Sequence, residues 1–308
     1  MKKVLIIGGA GFVGGYLSEI LLENGYEVHS TCLENEKIKN TECVPHILNI
    51  LDKDKISELL NEVKPEIIYH LSAQSSVALS WKNPQLTVDV NIKGTLNVLD
   101  CLRDSGLNSR ILLIGSGEEY GYVKVCPVSE KEPPNPSNIY AVTKTCQSMI
   151  GKIYAGAYKM DIIMIRAFNH IGAGQLPQFV VSDFCKQVAD IEKGLKAPEM
   201  CVGNLDAKRD FTDVRDVVRA YMLLGEKGKS GELYNVGSGN AMAIKKILDM
   251  IISLSEKDIK ITIDPERLRP SDIPVIEADI SKIKADTGWK PEIPIEETIK
   301  NTLDYWRR

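Results

Sequence analysis

Apolar positions in this chain follow two rhythms, short unbroken runs and a three-to-four-residue repeat, and the two alternate from the first residues onward. Val4-Leu5-Ile6-Ile7 is a run with the length of one buried parallel strand, and it breaks at Gly8. From Val13 the spacing becomes helical, with Val13, Leu17, Ile20 and Leu21 on one face. The stretch predicts strand, tight turn, helix. Further runs predict strands at residues 27–31, 44–47, 66–71 and 110–114, and a sixth that closes through Arg166-Ala167-Phe168-Asn169-His170-Ile171-Gly172. Asn83-Pro84 reads as the start of a long helix, with proline in its first turn, and Asn138 as the start of another. This alternation predicts an α/β fold, a doubly wound parallel sheet to which residues 233–236 return. Beyond them come the helical spacing of Ile244, Ile247, Leu248 and Ile251, a strand at 259–263, and short terminal helices carrying Trp289 and Trp306. With residues 172–200 these predict a smaller C-terminal α/β lobe.

The break after the first strand carries chemistry. Gly8, Gly11 and Gly14 fall as G-x-x-G-x-x-G between a strand and a helix. Such glycines permit a sharp turn, let a pyrophosphate approach the backbone, and let the helix lie close on the strand. The amide N–H groups and dipole at the helix N-terminus then favour the phosphate charge. The competing reading is a loop made tight for packing alone. In an open parallel sheet ligands bind beyond the carboxyl ends of the strands, which makes Ser72-Ala73-Gln74-Ser75-Ser76 a candidate substrate lining. After the second strand an acidic side chain selects NAD and an arginine NADP. Cys32 and Leu33 supply neither, so the choice stays open and Glu34 is at best a displaced ribose ligand. Asn49 and Asp52 either flank an adenine or form a polar loop exit. The expected division is a dinucleotide-binding domain of residues 1–171 with a return segment near 210–238. A substrate-binding lobe takes residues 172–209 and 239–308.

Composition narrows the classes. In 308 residues, 38 Lys and Arg stand against 42 Asp and Glu, a net charge of −4 without the basic stripe of a nucleic-acid binder. An anionic ligand therefore requires a few local arginines. Met1-Lys2-Lys3 and the apolar run after it resemble a secretory leader, but the run continues straight into the amphipathic helix with no small-residue cleavage site, and it reads as the first strand. Seven scattered cysteines without C-x-x-C spacing suit reduced thiols in the cytoplasm better than disulfides or a metal site. No apolar run approaches a membrane span.

Tyr140 and Lys144 are spaced as Y-x-x-x-K and share a helix face. A tyrosine with a pKa of about 10 is a poor base at neutral pH, and a neighbouring ammonium is expected to lower it. Such a phenol can pass a proton to or from a carbonyl oxygen while hydride moves at a nicotinamide. Ser116, after the fifth strand, can hydrogen-bond the same oxygen. Alone, the tyrosine and lysine would be an ordinary surface pair. With the glycine turn and the serine in this order, the chain resembles the short-chain dehydrogenase/reductase superfamily, in its extended, nucleotide-sugar-modifying branch. That resemblance implies a Rossmann sheet, catalysis by Ser116, Tyr140 and Lys144, and contact of Lys144 with the nicotinamide ribose. It further implies cofactor binding by Gly8, Gly11, Phe12, Val13, Asn49, Ile50, Leu71, Ala73, Tyr140 and Lys144. The chain departs from the pattern in lacking an acidic residue after the second strand and in carrying Asn49 where many members have aspartate.

Within that branch, the stretches Gln74-Ser75-Ser76, Ser116 to Gly121, Arg166 to Gly172, Arg209 to Asp216 and Arg267 to Pro274 are most similar to enzymes of GDP-linked 4-keto-6-deoxy sugars. The implied reaction is NAD(P)H-dependent reduction of the C4 ketone of GDP-4-keto-6-deoxy-D-mannose to GDP-D-rhamnose. Ser75, Asn169, Arg209 and Arg269 would hold the sugar nucleotide. Forked, permanently charged donors suit a pyrophosphate. The alternative for Arg209 is a salt bridge to Asp213 or Asp216, while Arg267 reads as solvated and His170 as a packed loop residue. Glu118 matches the base that removes a sugar C5 proton in related dehydratases, so dehydration of GDP-mannose or 4-epimerisation stays an alternative. A dinucleotide-binding redox sensor without catalysis is the non-enzymatic one. The helices after Asn83 and Asn138 are expected to pair two subunits as a homodimer, with internal burial as the alternative.

Overall fold

The run that opens the chain becomes the middle of a sheet. β1 (Lys3–Ile7) buries Val4 to Ile7 on both faces. Successive side chains point to opposite sides of a strand, so Val4 and Ile6 enter one core and Leu5 and Ile7 the other. The remaining strands, in chain order, are β2 (Glu27–Cys32), β3 (Val44–Ile47), β4 (Ile67–His70), β5 (Arg110–Ser116), β6 (Ile162–Ala167), β7 (Asn169–Ile171), β8 (Glu199–Val202), β9 (Lys208–Asp213), β10 (Leu233–Val236), β11 (Ala241–Ala243), β12 (Lys260–Ile263) and β13 (Val275–Ile276). The computed structural model describes residues 1–267 and 273–308.

Seven strands pair in the order β10-β6-β5-β4-β1-β2-β3, every pairing parallel. The order reverses at β1 and β4, which opens a crevice beyond their carboxyl ends. The helices are α1 (Phe12–Glu23), α2 (Lys53–Val63), α3 (Val77–Lys82), α4 (Pro84–Val88), α5 (Gly94–Asp104), α6 (Ile139–Tyr158), α7 (Val180–Glu192), α8 (Val214–Lys227), α9 (Ile244–Ser253), α10 (Ser281–Thr287) and α11 (Ile295–Arg307). α1 and α8 bury Leu17, Leu21, Val217 and Tyr221 on one face of the sheet. α2 and α5 bury Ile56, Leu60, Val98 and Leu102 on the other, where Ile150 and Tyr154 of α6 join them. The fold is therefore the α/β, doubly wound sheet that the alternation predicts.

The second layer is small. β9 pairs with β11, β13 and β7, and β8 pairs with β12. α7, α9 and α11 close over a separate core containing Phe184, Val188, Ile247, Leu248, Ile251 and Leu303. Residues 208–213 thus pair with lobe strands, whereas Ile283 and Trp289 are buried in the core under α1 and α8. Trp289 donates from Nε1 to the Asp216 carbonyl at 2.9 Å, and Asp216 Oδ2 accepts the N–H groups of Glu292 and Ile293.

Two elements differ from the periodicity. The helix opened by Asn83, whose side chain accepts from Leu86 N–H, is interrupted by a π-turn at Asp89–Lys93 before α5 resumes. The sixth strand is two strands: Phe168 bonds its N–H to Val236 O and the chain then leaves for β9. An apolar run cannot show such a change of partner, because Phe168 and Ile171 are buried in different cores.

Candidate active site

The glycine turn is shaped by the backbone. Gly8 has a φ of +92°, a region that favours glycine, and its N–H donates to Thr31 Oγ1 at 2.9 Å while Gly9 N–H donates to Thr31 O at 2.8 Å. A Cβ at Gly14 would stand 2.5 Å from Gly9 O, so α1 lies directly on the turn. Gly11 is different. Its added Cβ would meet only Gly8 O, at 3.4 Å, and as N-cap it offers no side chain to the orphan N–H groups of the first turn. Internal packing explains Gly8 and Gly14 but not Gly11, and an open, uncapped helix start fits the pyrophosphate of a dinucleotide.

Around it, Phe12 is stacked on His170 with centroids 6.3 Å apart, and Val13 is half-buried. His170 Nδ1 lies 3.2 Å from Phe168 O and burial pushes its pKa down, so it is packed and hydrogen-bonded as expected, but within β7 rather than in a loop. Leu71 and Ser72 both donate N–H to Ile7 O, which sets Ala73 beside the end of β1. Ile50 is buried and Asn49 exposed, its Oδ1 accepting Leu51 N–H. Asp52 is the N-cap of α2, accepting Lys55 N–H. Glu34 is exposed, and the N–H of Leu33 is taken by Glu36.

β1, β4 and β5 are adjacent, so Gly8, Leu71 and Ser116 stand along one edge of the sheet, about 10 Å across from the first strand to the third. At Ser116 the chain turns into a short 3₁₀ segment, with Ser116 Oγ accepting Glu118 N–H. α6 starts at Asn138, whose side chain accepts Ala141 N–H at 2.8 Å and donates to Glu118 Oε2 at 3.1 Å. That cap places Tyr140 in the first turn, where its phenol lies close enough to the Ser116 side chain to be influenced by it. Lys144 follows one turn later and is buried. The structure thus brings Ser116, Glu118 and Tyr140 together.

One electrostatic expectation is corrected. The Lys144 ammonium donates to Ile114 O at 2.7 Å and Gln147 Oε1 at 3.0 Å. Burial pushes its pKa down to about 8, against the opposing charge of Glu119. Burial also pushes the Tyr140 phenol up, the Ser116 side chain opposes this, and the charges of Glu118 and Glu119 add to it. Lys144 is thus committed to a strand carbonyl rather than acidifying the phenol.

The loop after β4 is held by a residue that the periodicity hides. Asn91, in the π-turn, accepts Gln74 N–H at 2.8 Å and donates to Gln74 O and Thr143 Oγ1. π-turns in helices recur at functional sites, and the only sequence signal was a polar residue on an otherwise buried helix face. Ser75, in the same loop, is exposed.

On the lobe side, Asn169 of β7 is exposed and pairs in register with Phe211 of β9. Arg209, also on β9, is buried and donates from Nη1 to Ile273 O at 2.6 Å and Lys208 O at 2.9 Å. Asp213 and Asp216 are engaged by Arg215 and Arg219. Arg267 is exposed, as expected, and pairs at the surface with Asp183 at 2.7 Å, a contact across 84 positions that local spacing cannot show. Arg269 lies outside the described residues. Among the described residues no group of three or more His, Cys, Asp and Glu side chains is arranged to hold a metal, and no helix is long and apolar enough to cross a membrane.

Residues 5–302 match the family model described as GDP-mannose 4,6 dehydratase. The chain is similar to GDP-6-deoxy-D-mannose reductase of Pseudomonas aeruginosa, 34% identical over 99% of this chain and 97% of that one. Among solved structures, RMD from Pseudomonas aeruginosa complexed with NADPH matches with a TM-score of 0.89 and 30% identity, covering 100% of this chain and 99% of the other. The Thermus thermophilus UDP-glucose 4-epimerase in complex with NAD matches with a TM-score of 0.89 and 28% identity, covering 99% of both.

Proposed function

Because the chain belongs to the GDP-mannose 4,6-dehydratase family, with the sheet and glycine turn of nicotinamide-dependent enzymes, we propose that it reduces the C4 ketone of GDP-4-keto-6-deoxy-D-mannose, giving GDP-D-rhamnose. The observation that carries this reading is the contact of Ser116 with Tyr140 at the carboxyl edge of the sheet, one strand removed from the strand that ends in the glycine turn. Gly8, Gly11, Phe12 and Val13 would hold the dinucleotide at the start of α1, with Leu71, Ala73, Asn49 and Ile50 along its length. A bound NADPH or NADH supplies the hydride.

The residues divide the remaining work. Ser116 and Tyr140 hydrogen-bond the ketone oxygen, and Tyr140 gives it the proton that turns alkoxide into alcohol. A phenol is protonated at neutral pH and so can donate, although burial pushes its pKa up and weakens it as an acid. Lys144 donates to the Ile114 carbonyl of β5 and would contact the nicotinamide ribose of a bound cofactor. Asn169 and Arg209 from the lobe side and Ser75 from the loop after β4 would hold the sugar nucleotide, and Arg269, outside the described residues, is assigned to the same role from the sequence alone. The dinucleotide half of this reading is residues 1–171 with the return near 210–238, and the substrate half residues 172–209 and 239–308, except that β7 and β9 pair within the substrate half and Ile283 and Trp289 pack in the dinucleotide half.

Glu118 supports a second reading. It is half-buried, receives Asn138 and acts electrostatically on Tyr140, a setting in which a carboxylate can take a carbon-bound proton, as 4,6-dehydration of GDP-mannose requires. The purified protein is given GDP-4-keto-6-deoxy-D-mannose with NADPH or with NADH, and GDP-mannose alone. Loss of reduced-nicotinamide absorbance with the keto sugar is the expected outcome, and the relative rates give the cofactor preference. Conversion of GDP-mannose without added reductant would establish the second reading.

Val142, Met149 and Ile153 form an exposed apolar stripe along α6, and Trp81 and Leu86 of the preceding helices are also exposed. These faces are where two subunits would pair as a homodimer. All seven cysteines are unpaired, which suits a reducing cytoplasm.

A further inference from the structure

A buried carboxylate beneath Ser116 has no part in the chemistry above. Glu119 is fully enclosed, and its two oxygens take donors from three elements: Ser116 N–H on Oε1, and the Ser148 hydroxyl and Arg166 Nε–H on Oε2, each at 2.9 Å. Its carbonyl accepts Asn135 N–H, in the loop that leads to Asn138 and α6. Arg166 lies 4.3 Å over the Tyr120 ring, and the Tyr120 hydroxyl donates to Asn235 of β10. A Cβ at Gly115 would stand 2.3 Å from Glu119 Oε1, so glycine there lets the carboxylate lie against β5.

Burying such a pair costs several kcal/mol of desolvation per ion, and apolar replacement of a whole buried pair is often neutral or stabilising. The capping box that Glu119 forms with Ser116 accounts for its bond to the Ser116 N–H but not for the pairing with Arg166 or the Ser148 contact. The contacts together give a reason: one carboxylate links the strand end that carries Ser116 to Ser148, one turn beyond Lys144 on the helix that carries Tyr140.

Resting on the reading of Ser116 and Tyr140 as the proton-handling pair, we propose that Glu119, paired with Arg166, is a positioning residue that fixes the Ser116 hydroxyl against the Tyr140 phenol. It does not touch substrate. It acts through the main-chain N–H of Ser116 and through α6. Its charge also bears on both Tyr140 and Lys144, which places it within electrostatic reach of the whole site.

The test compares the wild-type enzyme, Glu119→Gln, and the double replacement Glu119→Leu with Arg166→Met. Each is assayed with the GDP keto sugar and reduced cofactor, and crystallised with cofactor. A small misplacement of a catalytic group lowers turnover more than binding, so Glu119→Gln is expected to lower kcat about ten- to hundredfold while KM for reduced cofactor stays within about threefold. The double replacement keeps the melting midpoint of the wild type and stays slow. In the crystals of both variants the Ser116 hydroxyl moves away from its wild-type position beside the Tyr140 phenol. Wild-type kcat in either folded variant, or the wild-type placement of Ser116 against Tyr140 retained in both, overturns the proposal. A wild-type enzyme that consumes no reduced cofactor contradicts the proposed reaction instead, and the crystal comparison then decides the role of Glu119 alone.

Discussion

The glycine turn and the Ser116–Tyr140 corner lie along one edge of one sheet, yet they are built by opposite means. The turn is made of backbone. Gly8 needs its positive φ, Gly14 needs the missing Cβ, and the partners of the turn are the neighbouring strand and its own first helix. The corner is made of side chains drawn from far along the sequence: Glu119 meets Ser148 across 29 positions and Arg166 across 47, and Asn91 meets Thr143 across 52. A site of the first kind is shaped before a ligand arrives and tolerates few local changes. One of the second kind can lose its chemistry while the fold stands.

The largest effect that would break this contrast is in the corner. Tyr140→Phe removes the proton donor and is expected to lower kcat by about a hundred- to ten-thousandfold, the usual worth of a general acid, with cofactor binding unchanged. Steady-state rates beside a fluorescence titration of NADPH or NADH check it, and a variant with full activity would remove Tyr140 from the site.

Two alanines sharpen the other side. Gly14→Ala forces a Cβ to 2.5 Å from Gly9 O and is expected to cost about 1–3 kcal/mol of stability, the range for overpacking a close contact. Gly11→Ala meets nothing closer than 3.4 Å, so its melting midpoint should stay near that of the wild type while cofactor affinity falls about tenfold or more, or about 1.4 kcal/mol. Equal effects on stability at the two positions would mean that both glycines serve packing alone.

A further effect concerns pH and builds up gradually as the solution is acidified. His70, at the end of β4, is pushed down to about 3 by burial and by the nearby charge of Lys144, from an ordinary value of 6.5. Its partner Thr95 gives its hydroxyl proton to Asn91 O, so the His70 to Thr95 bond runs from Nε2–H and the ring stays neutral. Between those two pKa values the unfolded chain binds a proton that the folded one does not, so this group makes stability fall as pH drops through the window. The full slope is about 1.4 kcal/mol per pH unit. Denaturant unfolding of the wild type and of His70→Gln at successive pH values below 6.5 should show a shallower acid limb in the variant. Parallel limbs would show that His70 titrates normally in the fold.

What could be read from sequence follows the same contrast. The glycine turn, the succession of strands in the first half, Ser116 and the Tyr140-Lys144 spacing are read from local periodicity and short motifs, and the turn and Ser116 lie at the carboxyl ends of β1 and β5. The π-turn at Asn91 was hidden because one extra residue does not disturb an apolar face over a single turn. The split at Phe168, the pairing of Arg267 with Asp183 and the role of Glu119 depend on partners remote in sequence. The effect of Lys144 on Tyr140 was misjudged for a related reason: spacing puts the two on one face, but only the fold shows that Ile114 O takes the ammonium.

The central claim is that hydride reaches C4 of a GDP-linked keto sugar while Tyr140 supplies the proton. Reaction of GDP-4-keto-6-deoxy-D-mannose with cofactor deuterated at the transferred position, followed by NMR of the product, tests it most directly. One deuterium at C4 of a GDP-6-deoxyhexose is the predicted result. Label that remains on the cofactor, with no deuterium at C4 of the sugar, would contradict it.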